Sequence, residues 1–243
     1  MIRVPLVDLA AQYRLLQSEL DAAVRKVLAS GHYILGEHVA AFEVALDTRC
    51  ECRFAVSVNS GTDALELALR AGGIGSGDEA IVPALTFMST ALAVTAVGAT
   101  PIIVDIEEAS NGIDVEEASR RLTPRTKAVI PVHLHGQACD LDGLVRMARR
   151  HRLLVIEDCA QAIGATYHGR PVGSFGNAGC FSFYPTKNLG AAGDGGAVVT
   201  NDQGVAERLS LLRNYGTQDK VHFSGYGRNS RLDELQAAIL LVK

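Results

Sequence analysis

Apolar residues recur at helical spacing through Leu9, Tyr13, Leu16, Leu20, Val24 and Val27, and the pattern predicts a helix over 9–28 that Ser30-Gly31 ends. A second helix is expected from about 37 to 47. From there the period switches back and forth. Strands are expected at 54–58, 80–83, 101–105, 128–132 and 153–157, separated by helices at 62–70, 89–97, 115–122 and 141–151. AVIPV and the LLVI of LLVIE are apolar throughout, as strands covered on both faces must be. Alternation of this kind predicts a doubly wound α/β domain with a mostly parallel sheet between helices. Beyond residue 160 the pattern turns to short strands at 178–184 and 197–200, followed by helices at 205–214 and 233–242.

With 243 residues and 48% hydrophobic content the chain has ample material for a substantial core. A net charge of -4 without a long run of one sign gives no electrostatic footprint for nucleic acid or an anionic membrane. The five cysteines are odd in number, and only Cys50 and Cys52 lie close together, so they read as reduced thiols of a cytoplasmic protein. The N-terminal stretch lacks the apolar core of a signal peptide, and the run 88–104 is interrupted and too short to span a bilayer. The helix at 233–242 meets no stop signal before Lys243, and the expectation is a fragment ending inside a helix.

In open parallel sheets the site lies beyond the carboxyl ends of the strands, and the chemically loaded residues fall there. Ser60-Gly61-Thr62-Asp63 follows a strand and opens a helix, which suits either a phosphate or a plain helix cap. Phe87 follows the next strand, where it can stack on a planar ring or join the core. Asp158 directly follows LLVIE, and a carboxylate there needs a cation or several donors, unless it serves as a cap or metal ligand. Lys187 sits in FSFYPTKN, ahead of the glycine-rich GAAGDGGA. A lysine in an apolar, aromatic setting suggests an amine nucleophile, whose commonest use is a Schiff base; taken alone, without the upstream residues, it reads as a solvated strand-end lysine.

The order of phosphate cradle, aromatic, aspartate and lysine resembles pyridoxal phosphate (PLP) enzymes of the aspartate aminotransferase type (fold type I, with a seven-stranded sheet). The resemblance narrows to the DegT/DnrJ/EryC1/StrS sugar aminotransferases. It is carried by VPLVDLAAQY, GHYILGEHVAAFE, SGTDAL, PALTFMSTALAV, VHLHGQACDLDGL, VIEDCAQAIGA, FSFYPTKNLGAAGDGGAVVTND, LRNYGTQDK and NSRLDELQAAIL, nearly end to end. It implies that Lys187 is the Schiff-base and catalytic lysine, and that Asp158 pairs with the pyridine nitrogen. Gln161 would contact the ring hydroxyl, Phe87 would stack on the ring, and Gly61, Thr62 and Ser182 would hold the phosphate. Asn229 would reach the phosphate of a neighbouring subunit, making the active unit a homodimer with a shared site. The resemblance also implies that residues 1–243 form the large PLP-binding domain, with residues 1–50 as its N-terminal helical segment, and that a smaller C-terminal domain is absent.

The implied reaction is ping-pong transamination from L-glutamate to the keto group of a nucleotide-linked sugar in deoxysugar or polysaccharide biosynthesis. The stretch NYGTQDKVHFSGYGRNSRLDELQAAIL looks more like relatives acting on dTDP-3-keto-6-deoxyhexoses than like those acting at C4. Lysine rather than histidine at position 187 disfavours the dehydratases of the same family. Two readings from other classes stand beside it: a metallohydrolase using His133 and His135 with Asp158 or Asp140, and a non-catalytic regulatory member. A dinucleotide fold is disfavoured, since neither GGIGSGDE nor GAAGDGGA gives GxGxxG between strand and helix.

Overall fold

The computed structural model describes residues 4–219 and 221–243; the first three residues of the N-terminal stretch and Lys220 of the LRNYGTQDK motif lie outside them. Seven strands form one sheet: β1 (Phe54–Val58), β2 (Glu79–Pro83), β3 (Thr100–Val104), β4 (Thr126–Val129), β5 (Leu154–Asp158), β8 (Ala178–Ser182) and β9 (Gly196–Thr200). Their spatial order is β1-β9-β8-β5-β4-β2-β3. Only β9 runs against its neighbours, so the carboxyl ends of the other six strands share one edge.

Successive residues of a strand point to opposite faces, and the core divides accordingly. Val56, Val58, Ile156 and Val198 pack with helices α3 (Gly61–Ala71), α4 (Ser89–Ala96) and α7 (Gln203–Leu212). Their strand neighbours Ala55, Ala197 and Val199 pack with α2 (Glu37–Arg49) and α8 (Glu234–Val242) on the other face. On that side Val129 and Val155 also meet α6 (Leu141–His151), near the short α5 (Val115–Arg120). The first helix, α1 (Leu9–Ser30), lies against α8 and ends on Gly31, whose positive φ of 67° suits a left-handed cap.

The start of α2 is closed by a distant residue. Gly36 at its N-cap has no side chain to offer, and the buried Glu234 carboxylate instead accepts from the N–H groups of Gly36 (2.8 Å), His38 (2.9 Å) and Val39 (2.9 Å). Burial alone would raise the pKa of Glu234; these amides and the His38 ring outweigh it and hold the pKa below its ordinary value.

The expected elements are present, with ends moved by at most three residues. Two features escaped the hydrophobic pattern. A hairpin joins β6 (Thr166–Tyr167) to β7 (Arg170–Pro171) through His168 and Gly169, both at positive φ, and a 3-10 turn spans Leu134–Gly136. No helix among the described residues is long and apolar enough to cross a membrane.

Candidate active site

The carboxyl ends of β1, β2, β4, β5 and β8 open onto a cavity of about 540 Å³, within the range of small-ligand sites. Gly61, Thr62, Phe87, Asp158, Gln161, Ser182 and Lys187 all line it. Of the expected site residues only Asn229 lies elsewhere: it is exposed, bridging Asn214 outside the cavity.

One end of the cavity is made of hydroxyls and a helix start. Ser60 caps α3, its Oγ accepting from the Asp63 N–H (3.1 Å), while Gly61 and Thr62 occupy the first turn, where N–H groups have no intrahelical partner. Thr62 Oγ1 donates to Ser89 Oγ (2.9 Å), which places a second hydroxyl beside the first. Ser182, at the end of β8, approaches so closely that a Cβ on Gly61 would lie 2.6 Å from its own Cβ. Amides at a helix N-terminus with neighbouring hydroxyls suit a phosphate. Capping by Ser60 thus leaves the first-turn N–H groups of Gly61 and Thr62 free of an intrahelical partner.

The opposite signs of charge come from β5 and the loop after β8. Asp158 is buried, and burial raises its pKa above the usual carboxylate value, partly offset by hydrogen bonds and by the charges of His133 and Lys187. Its Oδ1 accepts from the Ala160 N–H (3.1 Å) and its Oδ2 from the Thr90 hydroxyl (2.8 Å). Lys187 is half-buried at the cavity wall. Its loop is closed by Phe183 N–H to Gly195 O (2.7 Å), Ala191 N–H to Phe183 O (2.8 Å) and Asn188 Nδ2 to Ile163 O (2.8 Å). Gln236 of α8 adds a bond from the Ala192 N–H (2.9 Å).

Gln161 Oε1 accepts from the His135 N–H (3.0 Å), which leaves its NH2 group as the donor toward a ligand oxygen. Phe87 is 73% exposed on the cavity wall, a position for stacking rather than for core packing.

The paired histidines part company. His133 is fully buried, with Nε2 at 3.0 Å from Glu157 Oε2 and Nδ1 facing the Cys139 N–H (3.4 Å). His135 is exposed and turned away by a left-handed φ of 57°. Asp140, offered as a further ligand, caps α6 through the Gly143 N–H (2.9 Å). One group among the described residues has the spacing of metal ligands, His133, Glu157 and Cys159, and it contains neither His135 nor Asp158. Glu157 in that group also accepts from Gly173 (2.7 Å), Phe175 (2.8 Å) and Gly176 (2.7 Å), so its lone pairs are occupied. The set expected for a metallohydrolase is therefore not assembled. The cysteines are all free, and burial pushes the thiols of Cys50 and Cys52 up to about 12 and about 11.

Sequence reasoning missed Thr86, Ser89, Thr90, Tyr184, Thr186 and Asp194. All but Thr90 line the cavity, and Thr90 lies just behind it on Asp158. A signal existed for three of them: hydroxyls at 86, 89 and 90 cluster between the end of β2 and the first turn of α4.

Residues 15–243 match the DegT/DnrJ/EryC1/StrS aminotransferase family. The chain is 52% identical over 241 residues to dTDP-3-amino-3,4,6-trideoxy-alpha-D-glucose transaminase of Streptomyces venezuelae, covering 99% of this chain and 64% of that protein. It is 53% identical over 240 residues to the erythromycin biosynthesis sensory transduction protein EryC1 of Saccharopolyspora erythraea, covering 99% of this chain and 66% of the relative. Among solved structures, S. venezuelae DesV in complex with a ketimine intermediate superposes with a TM-score of 0.97 at 51% identity, covering 100% of this chain and 65% of DesV. The chain thus spans about two thirds of the length of these relatives. Motif order, cavity and near end-to-end similarity agree: the chain belongs to the DegT/DnrJ/EryC1/StrS aminotransferase family.

Proposed function

We propose that this chain is the cofactor-binding part of a pyridoxal 5'-phosphate-dependent aminotransferase. It would transfer an amino group from L-glutamate to the C3 keto group of a dTDP-linked 6-deoxyhexose. The observation that carries the reading is one cavity holding a lysine, a buried carboxylate and a helix-start cradle. These residues fit the cofactor. The contact between Gly61 and Ser182 keeps the cradle narrow, and among the described residues the buried Asp158 has hydrogen bonds only from the Thr90 hydroxyl and the Ala160 N–H, neither of them cationic. The C3 assignment follows the named activity of the S. venezuelae relative.

When bound, pyridoxal phosphate supplies an electron sink for the carbanion next to the transferred nitrogen. Gly61, Thr62 and Ser182 would hold its phosphate, and Phe87 would cover the ring face. Asp158 would accept the ring N–H, and Gln161 would donate to the ring oxygen. Lys187 would attach the cofactor through its Nζ and, once released, move a proton between carbon and nitrogen as general base and acid. Asn229, exposed on its own subunit, would complete the phosphate site of a second copy, so the working unit would be a homodimer. The backbone on either side of Asn229 is anchored, since the Arg228 guanidinium pairs with Glu66 and Ser230 Oγ donates to Asp63 Oδ2 (2.6 Å). The site of action would be cytoplasmic.

The test is spectroscopic. Protein mixed with pyridoxal phosphate is expected to gain a visible band that borohydride discharges, leaving a label on the peptide containing Lys187, and Lys187→Ala should show neither. Protein that gains no band would overturn the reading. Offering dTDP-3-keto and dTDP-4-keto hexoses with glutamate to the full-length enzyme tests the sugar position, and a 4-amino product would overturn C3.

A further inference from the structure

Asp158 is held from behind by two threonines in series. Thr90, in the first turn of α4 and 0% exposed, donates its hydroxyl to Asp158 Oδ2 at 2.8 Å. Thr86 Oγ1 lies 2.7 Å from Thr90 Oγ1 and borders the cavity. A hydroxyl has one proton to give, and an ionised carboxylate can only accept. Thr90 must therefore give its proton to Asp158, and Thr86 must give its own to Thr90. The direction of both bonds is fixed by the charge on Asp158. Protonated Asp158 would allow the reverse order, with the carboxyl donating to Thr90, Thr90 to Thr86, and Thr86 into the cavity.

We propose that Thr86 and Thr90 form a proton-ordered pair of positioning residues that holds Asp158 as an acceptor facing the cavity. While this order lasts, the wall formed by Asp158 and Thr86 offers only lone pairs to a ligand, which selects a ligand bearing an N–H or a cation there. That this ligand is the protonated pyridine ring rests on the function proposed above. The arrangement also places the carboxylate at the N-terminal turn of α4, where the helix dipole favours negative charge.

The other charged or titratable groups around Asp158 are His133 beyond the end of β4, Glu157 and Cys159 beside it in the chain, Cys180 on β8, and Lys187. None is altered by substitution at Thr90. Thr90→Val keeps the shape and removes the donor, and Thr90→Ser keeps the donor. In cofactor-free chain labelled with carbon-13 at aspartate carboxyls, the Asp158 titration midpoint should rise in Thr90→Val and return in Thr90→Ser. Pyridoxal phosphate should bind Thr90→Val roughly tenfold to a hundredfold more weakly, the scale of one lost hydrogen bond to a charged group. An Asp158 midpoint and affinity unchanged in Thr90→Val would overturn the proposal. If Thr90→Val does not fold, Thr86→Val at the half-buried end breaks the same chain, and an unmoved midpoint there would overturn it equally. The titration needs no cofactor, so failure of the unsubstituted protein to bind pyridoxal phosphate would count against the proposed function alone.

Discussion

Gly61 and Ser182 touch where α3 begins and β8 ends, leaving no space for a side chain at position 61. Gly61→Ala would push the first turn of α3 away from Ser182 at a cost on the order of 1–3 kcal/mol, the usual range for overpacking a tight contact. Pyridoxal phosphate should then bind about tenfold more weakly, while pyridoxal without its phosphate should lose less. Calorimetric titration of both ligands checks this, and equal losses would place the damage outside the phosphate cradle.

Asp158 has its pKa raised, chiefly by burial, so its ionised form costs the cofactor-free chain stability. A group of this sign contributes its full stability below the unfolded value near 3.8 and loses it as pH rises through the higher folded value. Asp158→Asn should therefore melt higher than the unsubstituted chain at pH 7 without cofactor, by about 2–4 °C for each kcal/mol relieved. The gain should vanish toward pH 3.8. With pyridoxal phosphate the order should invert, because the substituted chain loses the partner of the ring nitrogen. Scanning calorimetry at several pH values, with and without the ligand, reads both effects.

Glu157 works purely inside the fold. Its two oxygens serve His133 and the three N–H groups of Gly173, Phe175 and Gly176, so Glu157→Ala strands four donors in a dry place. The expected loss is about 3–5 kcal/mol in urea unfolding, as for breaking a buried ion pair from one side. A loss below about 1 kcal/mol would show that water or rearrangement replaces the carboxylate.

Glu234 has the opposite pH behaviour from Asp158. Its pKa is lowered, so the stability it adds is present above its unfolded value near 4.5 and is lost as pH falls through the lower folded value. Glu234→Gln should flatten the acid side of the stability profile below about pH 4.5. It should also speed hydrogen exchange at the amides of Gly36, His38 and Val39. Unchanged exchange at those three positions would remove Glu234 from the role of a helix cap.

Much of the fold was legible because buried strands and amphipathic helices leave different periods. The exceptions are short or strained: β6 and β7 have two residues each, too few to show a period, and His135 leaves the extended path that an HxH reading assumes. Asp158 and Lys187 could be read from motif order, since Asp158 ends β5 and Lys187 follows β8, whereas Gln161 came only with the family resemblance. The partnership of Thr90 with Asp158 spans 68 residues of chain, and locally Ser89-Thr90 reads as an ordinary helix start. Asn229 lies on the exposed surface outside the cavity, where neither a strand end nor a hydrophobic period marks it.

The separation of Glu157 from Asp158 has a consequence for tolerance to insertion and deletion. The two acids are neighbours on β5, one serving the socket around Gly173 to Gly176 and the other the cavity. A slip of one residue in the strand would exchange their faces. The longer glutamate would then intrude on the ligand space, and the shorter aspartate would face a socket fitted to glutamate. Length changes in β5 are thus barred by chemistry at both of its faces, while the β6–β7 turn at His168-Gly169 lines no part of the cavity.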